Sequence, residues 1–360
     1  MNIAFFGSSL VSARWNGAAT YYRGILRALA ARGHHTVFYE PDAYGRQEHR
    51  DIEDPDFAEV VVYSGMAELE QALKAARGAD LVVKASGVGE NDEFLERAVV
   101  TQRRAGQSVV FWDVDAPATL ERMRCDPLDP FLELVPSYDL VFTYGGGERV
   151  VEEYLGLGAR ACVPIYNAVD PETHHPVPAE ARFQCDLAFL GNRLPDREAR
   201  ADAFFFDVAA REPGRRFVLG GSGWETRPRP PNIDYLGHVY THQHNAFNAS
   251  ALAVLNVNRR SMADVGYSPA TRIFEAAGAG ACIISDAWDG IEQFLEPERE
   301  ILIARDADEV VAHLRALTPE RRAKIGARAL ARVLDEHTYD RRAVEVEAAL
   351  GLSDARGIAS

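Results

Sequence analysis

Ser268-Pro269-Ala270-Thr271-Arg272-Ile273-Phe274-Glu275-Ala276-Ala277-Gly278-Ala279-Gly280, followed by Ala281-Cys282-Ile283-Ile284-Ser285-Asp286 and Ala287-Trp288-Asp289-Gly290-Ile291-Glu292, reads as helix, strand and glycine-bearing loop. Ser268-Pro269 opens the helix, because a first-turn proline lacks only an N–H that the first turn cannot use, and Gly278 and Gly280 stop it. The apolar strand 282–284 then ends in Ser285-Asp286 and a turn holding Trp288, Asp289 and Gly290. In an open parallel sheet this order puts Ser268, Glu275 and Gly290 near one crevice, beside helix N-termini whose free N–H groups suit phosphate.

The same alternation runs outward in both directions. Toward the amino end, strands are predicted at 2–6, 36–39, 60–63, 81–84, 109–112 and 140–143, with a helix over 18–32 whose Tyr22, Ile25, Leu26 and Leu29 repeat at i, i+3, i+4, i+7. The second half repeats the pattern, with strands at 186–190, 216–219, 251–257, 281–285 and 300–303 and helices near 196–211, 307–317 and 338–350. Strand and helix in turn imply mostly parallel sheets with right-handed crossovers. Between the halves, Tyr166-Asn167-Ala168-Val169-Asp170-Pro171-Glu172-Thr173-His174-His175-Pro176-Val177-Pro178 carries three prolines and reads as a linker, its histidines solvated.

Composition narrows the function classes. At 360 residues two domains are the default, and no window approaches the roughly 20 apolar residues of a membrane span. Met1-Asn2-Ile3-Ala4-Phe5-Phe6 enters a strand directly, without the basic start of a signal peptide. Cys125, Cys162, Cys185 and Cys282 lack C-x-x-C or zinc-ligand spacing and are expected to be reduced core thiols of a cytoplasmic protein. A formal net charge of -15 argues against a nucleic-acid backbone as partner. G-x-G-x-x-G, H-E-x-x-H and G-x-S-x-G are all absent, which disfavours a dinucleotide dehydrogenase, a zinc protease and a serine hydrolase.

The 268–292 block resembles the donor-site signature in the carboxy-terminal half of GT-B glycosyltransferases, most closely the CgeB-like, spore-maturation-protein branch. The resemblance implies an α/β chain of two Rossmann-like domains facing a central cleft. Residues 1–166 would form the acceptor domain and 167–337 the nucleotide-sugar donor domain, with 338–360 a helix packing back on the first domain and a tail. Asn167-Ala168-Val169-Asp170 is similar to the N-x-V-D segment that joins the two domains in this superfamily. The implied activity is transfer of a sugar from a nucleotide-diphosphate sugar to an acceptor hydroxyl, with no metal and no other cofactor. Glu275 would hold the ribose, and the turn Gly290-Ile291-Glu292 would approach sugar and diphosphate.

Other segments take roles beside that signature. In Leu190-Gly191-Asn192-Arg193-Leu194-Pro195-Asp196-Arg197 the resemblance implies a diphosphate grip. Guanidinium suits it, being always charged and able to donate paired hydrogen bonds to phosphate. Arg193 and Arg197 are the candidates, with Arg200 an alternate and Arg272 a weaker one. Gly220-Gly221-Ser222-Gly223-Trp224 closes a strand with small residues, fitting either close approach to base and ribose or an ordinary turn. Gly237-His238-Val239 resembles the segment that lines the base pocket. In the first half, Gly17 precedes a helix and is a candidate for the donor phosphate side. Trp112-Asp113-Val114-Asp115-Ala116-Pro117 contains D-x-D, which elsewhere shares a divalent ion with a diphosphate. Standing outside the donor half, it is read as an acceptor-side D-x-D-x-P instead, with Asp115 or Asp113 as general base, and a turn or cap role equally open.

One departure limits the mechanism. Many retaining relatives carry a second Glu eight positions before the ribose Glu, and here that position is Tyr267. Retention remains the expected course, with Arg193 stabilising the leaving diphosphate. The alternatives are a catalytically inactive sugar-nucleotide-binding or morphogenetic partner, and a nucleotide-sugar epimerase on the same fold.

Overall fold

A computed structural model describes residues 1–14 and 16–352. The tail 353–360 lies outside the described residues. The chain forms two compact units, one made of Met1–Tyr166 with the chain from Tyr339 onward, the other of Asn167–Thr338.

The first unit holds seven parallel strands: β1 Asn2–Phe6, β2 His35–Pro41, β3 Glu59–Tyr63, β4 Leu81–Ala85, β5 Ser108–Asp113, β6 Leu140–Thr143 and β7 Cys162–Pro164. Their order in the sheet is β3-β2-β1-β4-β5-β6-β7. Central strands such as Leu81–Ala85 are buried along their whole length, as expected where helices cover both faces. The helix Ala19–Ala31 turns Tyr22, Ile25, Leu26 and Leu29 into the core. The closing helix Tyr339–Ala349 packs against it, so that Tyr21 and Tyr339 meet edge to face at 6.0 Å.

The second unit holds six more parallel strands: β8 Cys185–Leu190, β9 Phe217–Gly220, β10 Ile233–Tyr235, β11 Ala251–Asn256, β12 Ile283–Asp286 and β13 Leu302–Ala304. Their order is β10-β9-β8-β11-β12-β13. Phe189, Phe205, Phe217 and Trp224 are fully buried together. At about 1.5–3 kcal/mol for each large apolar side chain, such clusters supply much of the driving force. The helical segment Pro195–Ala201 continues through a π turn at Asp202–Phe206 into Asp207–Arg211, and Phe204, Phe205 and Phe206 are all buried there.

Both sheets have the doubly wound order in which the first strand lies centrally and the chain winds outward to one side and then the other. The reversal falls between β1 and β4 in the first unit and between β8 and β11 in the second. Loops leaving the C-terminal ends of those strands open onto the crevices where such sheets bind ligands.

Candidate functional site

In the second unit the loop after β8 runs from Gly191 into the helix Pro195–Ala201, and the one after β11 runs through Asn258 and Arg259 into the helix Arg260–Val265. The β8 loop is locked to the loop after β9. The amide of Gly191 donates to the Gly220 carbonyl (2.9 Å), that of Arg193 to Ser222 (2.9 Å), and the Trp224 indole to the Gly191 carbonyl (2.7 Å). The Ser222 amide donates to Asn192 Oδ1 at 2.9 Å. A Cβ on Gly221, whose φ is +116°, would stand 2.3 Å from the Gly191 carbonyl oxygen, so only glycine lets the loops close. The Gly221 amide in turn donates to the Gly237 carbonyl at 2.7 Å. Gly221, Ser222, Gly223, Gly237 and Arg193 therefore sit together, while His238 is exposed with its ring on Tyr240 at 4.6 Å.

The arginines divide into paired and unpaired. Arg193 is bound to Glu198 at 2.5 Å, each about a third exposed. Arg200 pairs at 2.5 Å with Asp286, a fully buried carboxylate that also accepts the Asn258 amide. Arg259 pairs with Asp196 at 2.7 Å. Arg197 and Arg272 form no ion pair among the described residues, and the Nε of each is out of solvent without a hydrogen-bond partner. The Arg272 guanidinium lies over the Phe189 ring at 5.7 Å. Burial, then the charges of Arg272 and Arg259, push Arg197 down to about 10. Burial lowers Arg272 too, with Glu275 opposing. Half-buried cationic groups, each with Nε out of solvent and no ion-paired carboxylate, make a pocket that favours an anion.

Around the signature helix the structure corrects several expectations. The helix begins at Thr271, not at Ser268-Pro269, because Ala270 is extended and Asn167 Nδ2 holds the Pro269 carbonyl at 3.0 Å. Ser268 is buried, its hydroxyl donating to the Gly266 carbonyl. Tyr267 has a left-handed backbone, φ +47°. Its ring covers Gly290, where a Cβ would come within 2.2 Å, and Ile291 is buried next to it. His174 is buried rather than solvated, whereas His175 is exposed. The Glu275 carboxylate lies 3.9 Å from His174 Nε2 and 3.8 Å from His244 Nδ1. Burial pushes His244 down to about 4, against the pull of Glu275.

In the first unit Gly17 is exposed, and nothing stands within 4 Å of where its Cβ would be. The neighbouring Asn16 is buried and braces the loop through Ser8, Ser9 and Ser12. Asp113 is fully buried. Its carboxylate accepts from Tyr154 (2.5 Å), Ser86 (2.7 Å), Thr119 (3.0 Å) and the Asp115 amide (3.0 Å), and burial raises its pKa. Those bonds commit Asp113 to holding the loop. Asp115 is half-buried at the start of the helix Ala116–Cys125. Trp112 is core, donating to the Tyr21 hydroxyl at 2.9 Å. Of the cysteines, Cys125 is exposed rather than buried.

The chain is similar to the sucrose-phosphate synthase of Thermosynechococcus elongatus (TM-score 0.69, 14% identity, 98% of each chain covered). Anabaena HepE, solved with UDP and glucose, gives TM-score 0.69 at 13% identity over 98% of this chain and 99% of that one. The fold is GT-B. An α-glucosyltransferase, solved with UDP-glucose and DNA containing an abasic site, is similar as well (TM-score 0.70, 13% identity, 97% and 99% covered). Residues 197–348 match the glycosyl transferase-like family. No curated protein sequence matches the chain. The matched segment begins at Arg197 and contains Arg259, Arg272 and Glu275. Arg259 was missed in the sequence, although it stands just past the apolar run 251–257, where strand ends meet ligand.

Proposed function

We propose that the protein is a glycosyltransferase that takes its sugar from a nucleoside-diphosphate sugar and passes it to an acceptor hydroxyl. The observation that carries this reading is the pair of unpaired guanidiniums, Arg197 and Arg272, at the switch point of the second sheet, with Arg259 close enough to be felt. A diphosphate supplies the missing negative charge, and paired N–H donors match its oxygens. The grip is strongest as charge develops on the leaving diphosphate, which is how it accelerates transfer. Arg193, already held by Glu198, is placed behind Arg197 in this scheme. Main-chain groups of Gly221 to Gly223 and of Gly237 flank the base.

Arginine neutralisation of the diphosphate makes the reaction metal-independent. With retention, a leaving phosphate oxygen accepts the acceptor proton and no protein nucleophile is needed. With inversion, Asp115 is the base, because the Asp113 carboxylate is already engaged by four donors. The signature block favours the CgeB-like branch, and UDP-sugars are the first donors to try, given UDP in the HepE structure. The net charge of -15 favours a glycan, small molecule or protein acceptor over DNA.

A second reading rests on Tyr267, which stands in the sequence where many retaining relatives carry Glu and whose ring lies on Gly290. A protein so built would bind nucleotide sugar without turning it over. Release of nucleoside diphosphate from a panel of nucleotide sugars, with and without candidate acceptors, separates the readings. Acceptor-dependent release supports transfer, and binding without release supports the second.

A further inference from the structure

His174, His244 and Glu275 come from three separate places in the second unit: the proline linker, the start of the helix His244–Ser250, and the helix Thr271–Gly278. One ligand-type atom from each lies within 4.8 Å of the other two. The His244 Nε2 faces the Val239 carbonyl at 3.2 Å. A carbonyl only accepts, so Nε2 carries the proton and the lone pair of Nδ1 points at the Glu275 carboxylate. Both Nδ1 of His244 and Nε2 of His174 are out of solvent with no hydrogen-bond partner, and the His174 side chain is only 4% exposed. At 3.8 and 3.9 Å the nitrogen-to-oxygen gaps are too wide for direct hydrogen bonds. The lone pair of His244 and the unpartnered Nε2 of His174, both turned on a carboxylate, leave a gap that suits a cation.

We infer that His174, His244 and Glu275 form a binding site for a divalent transition-metal cation such as Zn2+. Two imidazoles with one carboxylate are a borderline donor set that suits zinc rather than calcium or magnesium. With metal bonds of about 2.0–2.1 Å, tetrahedral donors stand roughly 3.4 Å apart, so the three ligand atoms, now within 4.8 Å of one another, draw together by about 1.4 Å at most. Outer contacts already hold the ligands in place. Val239 fixes the His244 tautomer, the His174 amide donates to the Asp170 carbonyl at 2.8 Å, and Asn245 Nδ2 donates to the Thr173 carbonyl at 2.8 Å. The cation ties the linker to the signature helix, and it gives Glu275 a partner other than ribose. This goes beyond the transferase reading and leaves the diphosphate to the arginines.

The test uses the full chain with any affinity tag removed, stripped with EDTA and titrated with Co2+ and Zn2+ in the absence of nucleotide. The expected result is about one Co2+ per chain, with a visible absorption band of imidazole-bound cobalt displaced by Zn2+, and a thermal midpoint that rises with metal. Glu275→Gln, which keeps the side chain's size, and His244→Ala should each weaken Co2+ binding by at least ~10-fold. Should His244→Ala fail to fold, Glu275→Gln decides. Absence of retained metal in the wild-type chain, or equal retention by wild type and Glu275→Gln, overturns the site. Nucleotide titrations on the same samples report separately on the transferase reading.

Discussion

Arg197 and Arg272 are costly to keep charged where they stand, since neither has a carboxylate partner among the described residues and each has Nε out of solvent. Structural arginines here have a counterion, as Arg193, Arg200 and Arg259 do, or carbonyl acceptors, as Arg46 does. Arg197→Met should therefore leave the ligand-free protein within about 1 kcal/mol of wild-type stability while weakening nucleoside diphosphate binding roughly 10- to 100-fold. Calorimetric titration and thermal unfolding of the same variant check both halves. The two aspartates of the D-x-D segment separate in the same way. Asp113→Asn turns an NH2 toward hydroxyl or amide donors and should cost about 2 kcal/mol in denaturant unfolding. Asp115→Asn should cost less than about 1 kcal/mol, its effect appearing in turnover if inversion applies.

Among the elements, the paired loops after β8 and β9 have the narrowest tolerance. Gly221→Ala forces a Cβ against the Gly191 carbonyl at φ +116° and should destabilise the protein by about 2 kcal/mol, with nucleotide affinity falling alongside; equal unfolding midpoints would contradict the geometry. At the closing helix, Glu347 is hydrogen-bonded to Arg32 and, at 2.9 Å, to His34, and the Arg32 bond leads in holding its carboxyl down at about 2. A depressed folded-state pKa gives stability that is fully present above the ordinary value near 4.5 and is lost as pH falls from there through about 2. Glu347→Gln should thus lower the midpoint at neutral pH, and the gap to wild type should close between pH 4.5 and 2. A gap independent of pH would contradict this. Much of this layer was legible in the sequence: the apolar runs that became β1, β4, β5, β8 and β11 declare themselves by composition. The three-residue strands β7 and β10 did not, being too short for any periodicity and held by pairing with β6 and β9. The start of the signature helix was misjudged because Asn167, distant in the chain, clamps Pro269. The same limit hid the buried state of His174 and the pairing of Arg193, both set by contacts that spacing does not encode.

For the molecule as a whole, two doubly wound parallel sheets and a glycosyl transferase-like match over 197–348 agree with an unpaired cationic pocket at the second sheet's switch point. No helix among the described residues is long and apolar enough to cross a membrane. The central claim is that this pocket holds a nucleoside diphosphate. Thermal unfolding in the presence of UDP, GDP, dTDP, CDP and ADP tests it most directly, because a ligand at about 100 times its dissociation constant adds roughly 2.7 kcal/mol of stability. The account predicts a clear upward shift with at least one of the five, lost in Arg197→Met and in Arg272→Met. No shift with any of them, or a shift that both variants keep in full, would contradict it.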